Sequence, residues 1–73
     1  MDIDKIGKFS VSFYNVTRDR LFTFKYVSKV RNVFNYIVKN YNCNGVLLLY
    51  NRSDGKLICK YKYNHIYKTL TTF

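Results

Sequence analysis

The 73-residue chain predicts an α+β fold of order ββαββ, with a single helix packed on an antiparallel four-stranded sheet. Three observations predict it. Two segments before residue 28 alternate apolar and polar side chains, an apolar stripe of helical period follows, and two further alternating segments flank a strong turn at residues 51–55. The expected organisation is one small basic domain over 1–73, with a hairpin at 8–27, a helix at 29–42, a hairpin at 46–63 and a tail at 64–73 that extends the fourth strand or frays.

The first strand is read from Phe9, Val11 and Phe13, which alternate with Ser10, Ser12 and Tyr14. Phe22, Phe24 and Tyr26 alternate in the same way in the second strand. Pairing Phe13 with Phe22 makes the two aromatic faces coincide, as a hairpin register requires. The polar loop between them carries Arg18 and Arg20. Ser28 is the expected N-cap of the helix, whose stripe is Val30, Val33, Phe34, Ile37, Val38 and Tyr41, and Asn44-Gly45 is expected to close it.

Val46 to Tyr50 and Lys56 to Tyr63 flank Asn51-Arg52-Ser53-Asp54-Gly55. Pairing Tyr50 with Leu57 places Val46, Leu48, Tyr50, Leu57, Cys59 and Tyr61 on one face, against the helix. The opposite face then carries Leu47, Leu49 and Ile58 beside Lys60 and Lys62. An exposed apolar cluster of that kind marks a protein interface or a homodimer contact, unless both faces are covered because the sheet is central.

Thirteen Lys and Arg stand against four Asp and no Glu, a net charge of +9. The charge divides almost evenly, +4 over residues 1–37 and +5 over residues 38–73, so it is not a basic tail. Such a charge repels itself in the compact state and usually serves an anionic partner. With 48% hydrophobic residues, eight Tyr and six Phe, the chain has material for a core and is not a disordered basic segment. The heavy use of Lys, Asn, Tyr, Phe and Ile fits an AT-rich coding sequence, such as many phage and viral genomes carry.

Catalysis is hard to build from these residues, and the chain reads as no enzyme. Asp2 and Asp4 are terminal and Asp54 is a turn residue, so no carboxylate pair divides acid and base roles. His65, the single histidine, lacks an obvious carboxylate to orient it. Cys59 and His65 on one strand lie about 20 Å apart, at about 3.3 Å per residue. Cys43, Cys59 and His65 lack zinc-site spacing, and Gly7, Gly45 and Gly55 form no phosphate loop, so no cofactor or metal is expected. Met1-Asp2-Ile3-Asp4-Lys5 has no apolar export core, and no apolar run approaches the roughly 20 residues of a membrane-spanning helix. The expected setting is cytoplasmic, the host cytoplasm if the chain is phage-encoded.

The remaining signal is basic and aromatic. Lys56, Lys60, Lys62 and Lys68, with Arg52 at the adjacent turn, suit phosphates, and Tyr63 and Tyr67 suit stacking on unpaired bases. Arg18, Arg20 and Lys25 extend this track if the hairpins lie side by side. The bland alternative is a solvated strand protected by lysines against aggregation.

In element order, size and helix placement, the stretch from Lys8 to Tyr63 resembles the Dmd-type antitoxins of T4-type phages and other short phage proteins that block host defences. Lys56-Leu57-Ile58-Cys59, a lysine-plus-apolar strand after a turn, is the nearest local likeness. The resemblance implies a small phage-encoded binder without an active site. The strong positive charge departs from that family, so no antitoxin contact is carried over to any residue.

The leading expectation is thus a non-enzymatic protein that binds nucleic acid, with RNA or single strands favoured over duplex because the helix is striped for a core. The alternative is an inhibitor of a host enzyme, nucleoprotein or defence complex, acting through Leu47, Leu49 and Ile58.

Overall fold

The computed structural model describes residues 7–73; the expectations about Met1–Lys5, including Asp2 and Asp4, fall outside the described residues. Five strands and one helix follow in the order β1 (Phe9–Asn15), β2 (Arg20–Val27), α1 (Val30–Asn40), β3 (Gly45–Asn51), β4 (Leu57–Asn64) and β5 (Thr69–Thr72). They form one antiparallel sheet of order β2-β1-β3-β4-β5 with the helix on one face. The class is α+β, as expected, with five strands in place of four. The tail neither frays nor prolongs β4. Residues 65–68 turn the chain back, and β5 pairs with β4 through Tyr63↔Leu70 and Lys62↔Thr71.

Phe13 does pair with Phe22. The loop between β1 and β2 is tight because the Asn15 side chain organises it, its Oδ1 accepting from the backbone N–H groups of Thr17 and Asp19 at 3.0 Å each. A register shift between Phe9 and Val11 in the β1–β2 pairing brings Val27 into the core and leaves Tyr26 outside. The second turn also matches expectation. Asn51 Oδ1 accepts from Ser53, Asp54 Oδ1 accepts from the Lys56 N–H, and Gly55 takes the left-handed conformation at φ 71°.

The helix stripe is core. Val33 and Ile37 are buried, with Val30, Phe34, Val38 and Tyr41 packed around them. Both helix ends differ from expectation. Lys29, not Ser28, is the N-cap and makes no side-chain cap bond, while Tyr41 ends the helix with its N–H donating to the Ile37 carbonyl. Gly45 opens β3 and is not a helix stop. A Cβ there would stand 2.3 Å from the Tyr14 carbonyl oxygen and 2.7 Å from the Phe13 ring, so only glycine lets the strand approach.

The largest correction concerns which face of the second hairpin is buried. Tyr50 does pair with Leu57, but the next pair is Leu49↔Cys59, so Ile58 is a bulged extra residue. The bulge reverses the parity expected for β3 relative to β4. Leu47 and Leu49, opposite Tyr61 and Cys59, join Val11, Phe13, Ile37 and Tyr63 in the core under the helix. Neither is available as a contact surface, and the interface expected from Leu47, Leu49 and Ile58 keeps only Ile58, which is 49% exposed.

This packing predicts an unequal pair of truncations. Leu47→Ala should cost about 2–5 kcal/mol, the range for emptying a packed core site. Leu48→Ala, on the half-exposed face, should cost on the order of 1 kcal/mol. Urea denaturation checks the order, and a larger loss for Leu48 would place the core on the wrong face.

Candidate nucleic-acid interface

The sheet face opposite the helix is covered by no described element, and the pairing lays its side chains out in cross-strand rows. Arg20, Tyr14, Val46, Lys62 and Thr71 occupy successive partners across β2, β1, β3, β4 and β5. The next row is Thr23, Ser12, Leu48 and Lys60, continued by Phe73, whose N–H donates to the Lys60 carbonyl. A third row joins Ser10, Tyr50 and Leu57. Period-two alternation across paired strands makes this face uniform: what the helix side spends on core, this side spends on tyrosine, threonine and lysine.

Lys60 and Lys62 stand on this face as expected. Their Nζ atoms lie 6.0 and 5.4 Å from the centroid of the Phe73 ring, so one aromatic ring sits between two cations. Ser12, buried at 7% exposure, is satisfied by Thr23 through a 3.0 Å hydroxyl pair. Arg18, in the left-handed conformation at φ 69°, borders the depression lined by Tyr14, Val16, Val46 and Leu48. The hairpins do lie side by side, since β1 pairs with β3, so Arg18 and Arg20 reach the same end of the face as Lys62.

Arg52 and Lys56 are at the other end of the strands. Arg52 donates through Nη1 to the Gly7 carbonyl at 2.6 Å and stacks 3.9 Å above the Tyr26 ring, which ties the β3–β4 turn to the end of β2. That contact gives it a structural duty first. Tyr67 is 75% exposed in the β4–β5 turn and free to stack. Beside it Lys68 donates to the His65 carbonyl at 2.9 Å.

Tyr63 is the clear correction among the expected stacking residues. It is 2% exposed, packed edge-on against Phe13 and Phe34, with its hydroxyl 3.0 Å from His65 Nδ1. Because it lies opposite Gly45 on the helix side of the sheet, no base can reach its ring. Tyr14, Tyr50 and Phe73 are the aromatic residues that the open face does present, and the signal for them was parity. Tyr14 follows Phe13 by one residue and therefore points away from the core.

His65 is held in a turn clamp. Its backbone N–H donates to Asn44 Oδ1 at 2.8 Å and its Nδ1 meets the Tyr63 hydroxyl. The two described carboxylates are engaged in turns, Asp19 with the Thr17 hydroxyl and Asp54 with the Lys56 N–H. Among the described residues no group of three His, Cys, Asp or Glu stands together to hold a metal ion, and no helix is long and apolar enough to cross a membrane. No family model, curated protein or solved structure matches this chain.

Burial raises the ionisation of Tyr63 above that of an ordinary tyrosine, with the nearby Cys43 thiolate adding to it, and burial likewise raises Tyr61 and Tyr41. In the unfolded chain these phenols ionise near about 10. Above that pH the unfolded state has lost protons that the folded state retains, so stability should fall as pH rises through about 10. Urea denaturation on either side of that value checks the sign, and ultraviolet titration should show late-ionising tyrosines. Stability constant across the range would contradict the buried placement.

Proposed function

We propose that the protein is a non-enzymatic binder of single-stranded nucleic acid, which it takes up on the open face of its sheet. One observation carries the reading: the uncovered face combines Tyr14, Tyr50 and Phe73 with Lys60, Lys62, Arg18 and Arg20, and its described paired strand positions carry no Asp or Glu. Cations along a groove neutralise phosphates, while rings accept bases without regard to identity. A sheet presenting aromatic residues to splayed bases is a recurrent solution for single-stranded RNA. The duplex is disfavoured because the one helix packs Val33 and Ile37 into the core and carries only Arg31 and Lys39 as cations on its exposed side.

The apolar residues of the same region favour a second reading, a protein or nucleoprotein target of the kind that the phage-protein resemblance implies. Val46 and Leu48 are half-buried in the middle of the face, and Leu57 and Ile58 are 42% and 49% exposed at its border. Ile58→Asn, which adds no charge, should leave polynucleotide affinity nearly unchanged and abolish capture of such a target.

Binding of a fluorescent 12-mer, followed by anisotropy, tests the first reading. Log affinity should fall linearly with log salt concentration, with a slope near −0.7 for each phosphate neutralised on a single strand. The double substitution Lys60→Glu and Lys62→Glu should weaken binding at least tenfold and flatten that slope by about 1.4, the value for two lost contacts. Absence of binding at low salt would overturn the proposal.

A further inference from the structure

The cations of the open face are gathered at one end of it. The first cross-strand row has a cation toward each flank, Arg20 on β2 and Lys62 on β4, with Tyr14 and Val46 between them. The second row adds Lys60, and Arg18 borders the depression beside Tyr14 and Val46. The third row, Ser10, Tyr50 and Leu57, holds no cation. Lys25 falls in the interrupted stretch of the β1–β2 pairing and belongs to no row. Lys56 lies just before β4, and Arg52 is engaged with the Gly7 carbonyl and the Tyr26 ring.

A polyanion has two paths over such a face. Along β4 it would meet Lys62 and Lys60, and then the exposed apolar pair Ile58 and Leu57. Across the sheet it would meet Arg18 and Arg20 first and Lys60 and Lys62 last, with a cation at both ends of its course. Neighbouring strands stand about 4.8 Å apart, so the three spacings from β2 to β4 separate the backbones of Arg20 and Lys62 by about 14 Å. At roughly 3.4 Å per nucleotide of a stacked strand, that span holds about four nucleotides, and fewer when the bases are splayed.

Resting on the single-strand reading above, we infer that the polynucleotide crosses the sheet perpendicular to its strands, its phosphates following the Arg20–Lys62 row over a footprint of roughly three to four nucleotides. The bases turn inward from that row, where the face becomes apolar and aromatic: Leu48 stands in the second row and Tyr50 in the third. Phosphates thus lie at the charged end and bases over side chains that accept any ring. Lys25, Arg52 and Lys56, which share the same charge, stand outside the path.

The test measures the binding of dT6 and dT12 by anisotropy over a salt series, with the full chain and with Arg20→Gln, Lys62→Gln, Lys25→Gln and Lys56→Gln. Contacts from Arg18, Arg20, Lys60 and Lys62 should give a slope near about −2.8 for both oligomers. A site of roughly four nucleotides has about three registers on dT6 and about nine on dT12, so dT12 should bind only about threefold more tightly. Arg20→Gln and Lys62→Gln should each weaken dT6 binding several-fold and flatten the slope by about 0.7. Lys25→Gln and Lys56→Gln remove the same charge and should leave the slope unchanged. A slope flattened as much by either of these as by Lys62→Gln overturns the crossing path alone. So does dT12 binding more than about tenfold more tightly than dT6, the mark of a longer track. Failure of both oligomers to bind at low salt overturns the path together with the reading on which it rests.

Discussion

Everything that distinguishes the two faces of this molecule depends on one extra residue in β4. With Tyr50 opposite Leu57 and no bulge, Lys60 would stand opposite Leu47, beneath the helix. An ammonium group cannot be buried there without a partner, because removing a charge from water costs far more than one methylene-rich side chain returns. Bulging Ile58 moves Cys59 opposite Leu49 and Tyr61 opposite Leu47, and it turns Lys60 and Lys62 to the outside. The same shift puts Tyr63 into the aromatic packing with Phe13 and Phe34. Core and charged face are thus two consequences of one register.

A single eleven-residue helix then covers one side of a five-stranded sheet. The sheet's exposed edges are kept short or irregular. β5 has four residues, and the β1–β2 pairing is interrupted at two register shifts. Such edges resist pairing with another chain. The open face remains the broad surface without a described cover. Its half-buried valine, leucine and tyrosine residues give it stickiness, and its lysines and arginines keep it hydrated while it is free. On the proposed reading, one polyanion both relieves the self-repulsion of a net charge of +9 and covers these rings.

Much of this was legible in the residues. Period-two alternation located four strands, the Phe13–Phe22 pairing was correct, and the helical stripe through Val33 and Ile37 is the stripe that packs. The turn at Asn51–Gly55 could be read because Asn, Asp and Gly each perform a known local task. Bulges could not be read. They add one residue without changing composition, so alternation alone assigned Leu47 and Leu49 to the wrong side. β5 was missed because Thr69–Thr72 is short and polar, with only Leu70 packed inward, and its order comes from pairing with β4 rather than from its own pattern. For the candidate site, Lys60, Lys62, Arg18 and Arg20 were identified from charge. Tyr14 and Tyr50 were passed over because a tyrosine's role depends on which way its strand faces.

The central claim is that the open sheet face, and not the helix side, meets a single-stranded polynucleotide. Backbone amide chemical shifts of the isotope-labelled protein, recorded during titration with a 12-mer oligonucleotide, test it most directly. The account predicts that the perturbed amides cluster on Tyr14, Val46, Leu48, Tyr50, Lys60, Lys62 and Thr71, with the exposed helix positions Arg31, Asn35 and Lys39 unmoved. Perturbations confined to the helix, or spread over all basic residues in proportion to their charge, would contradict it.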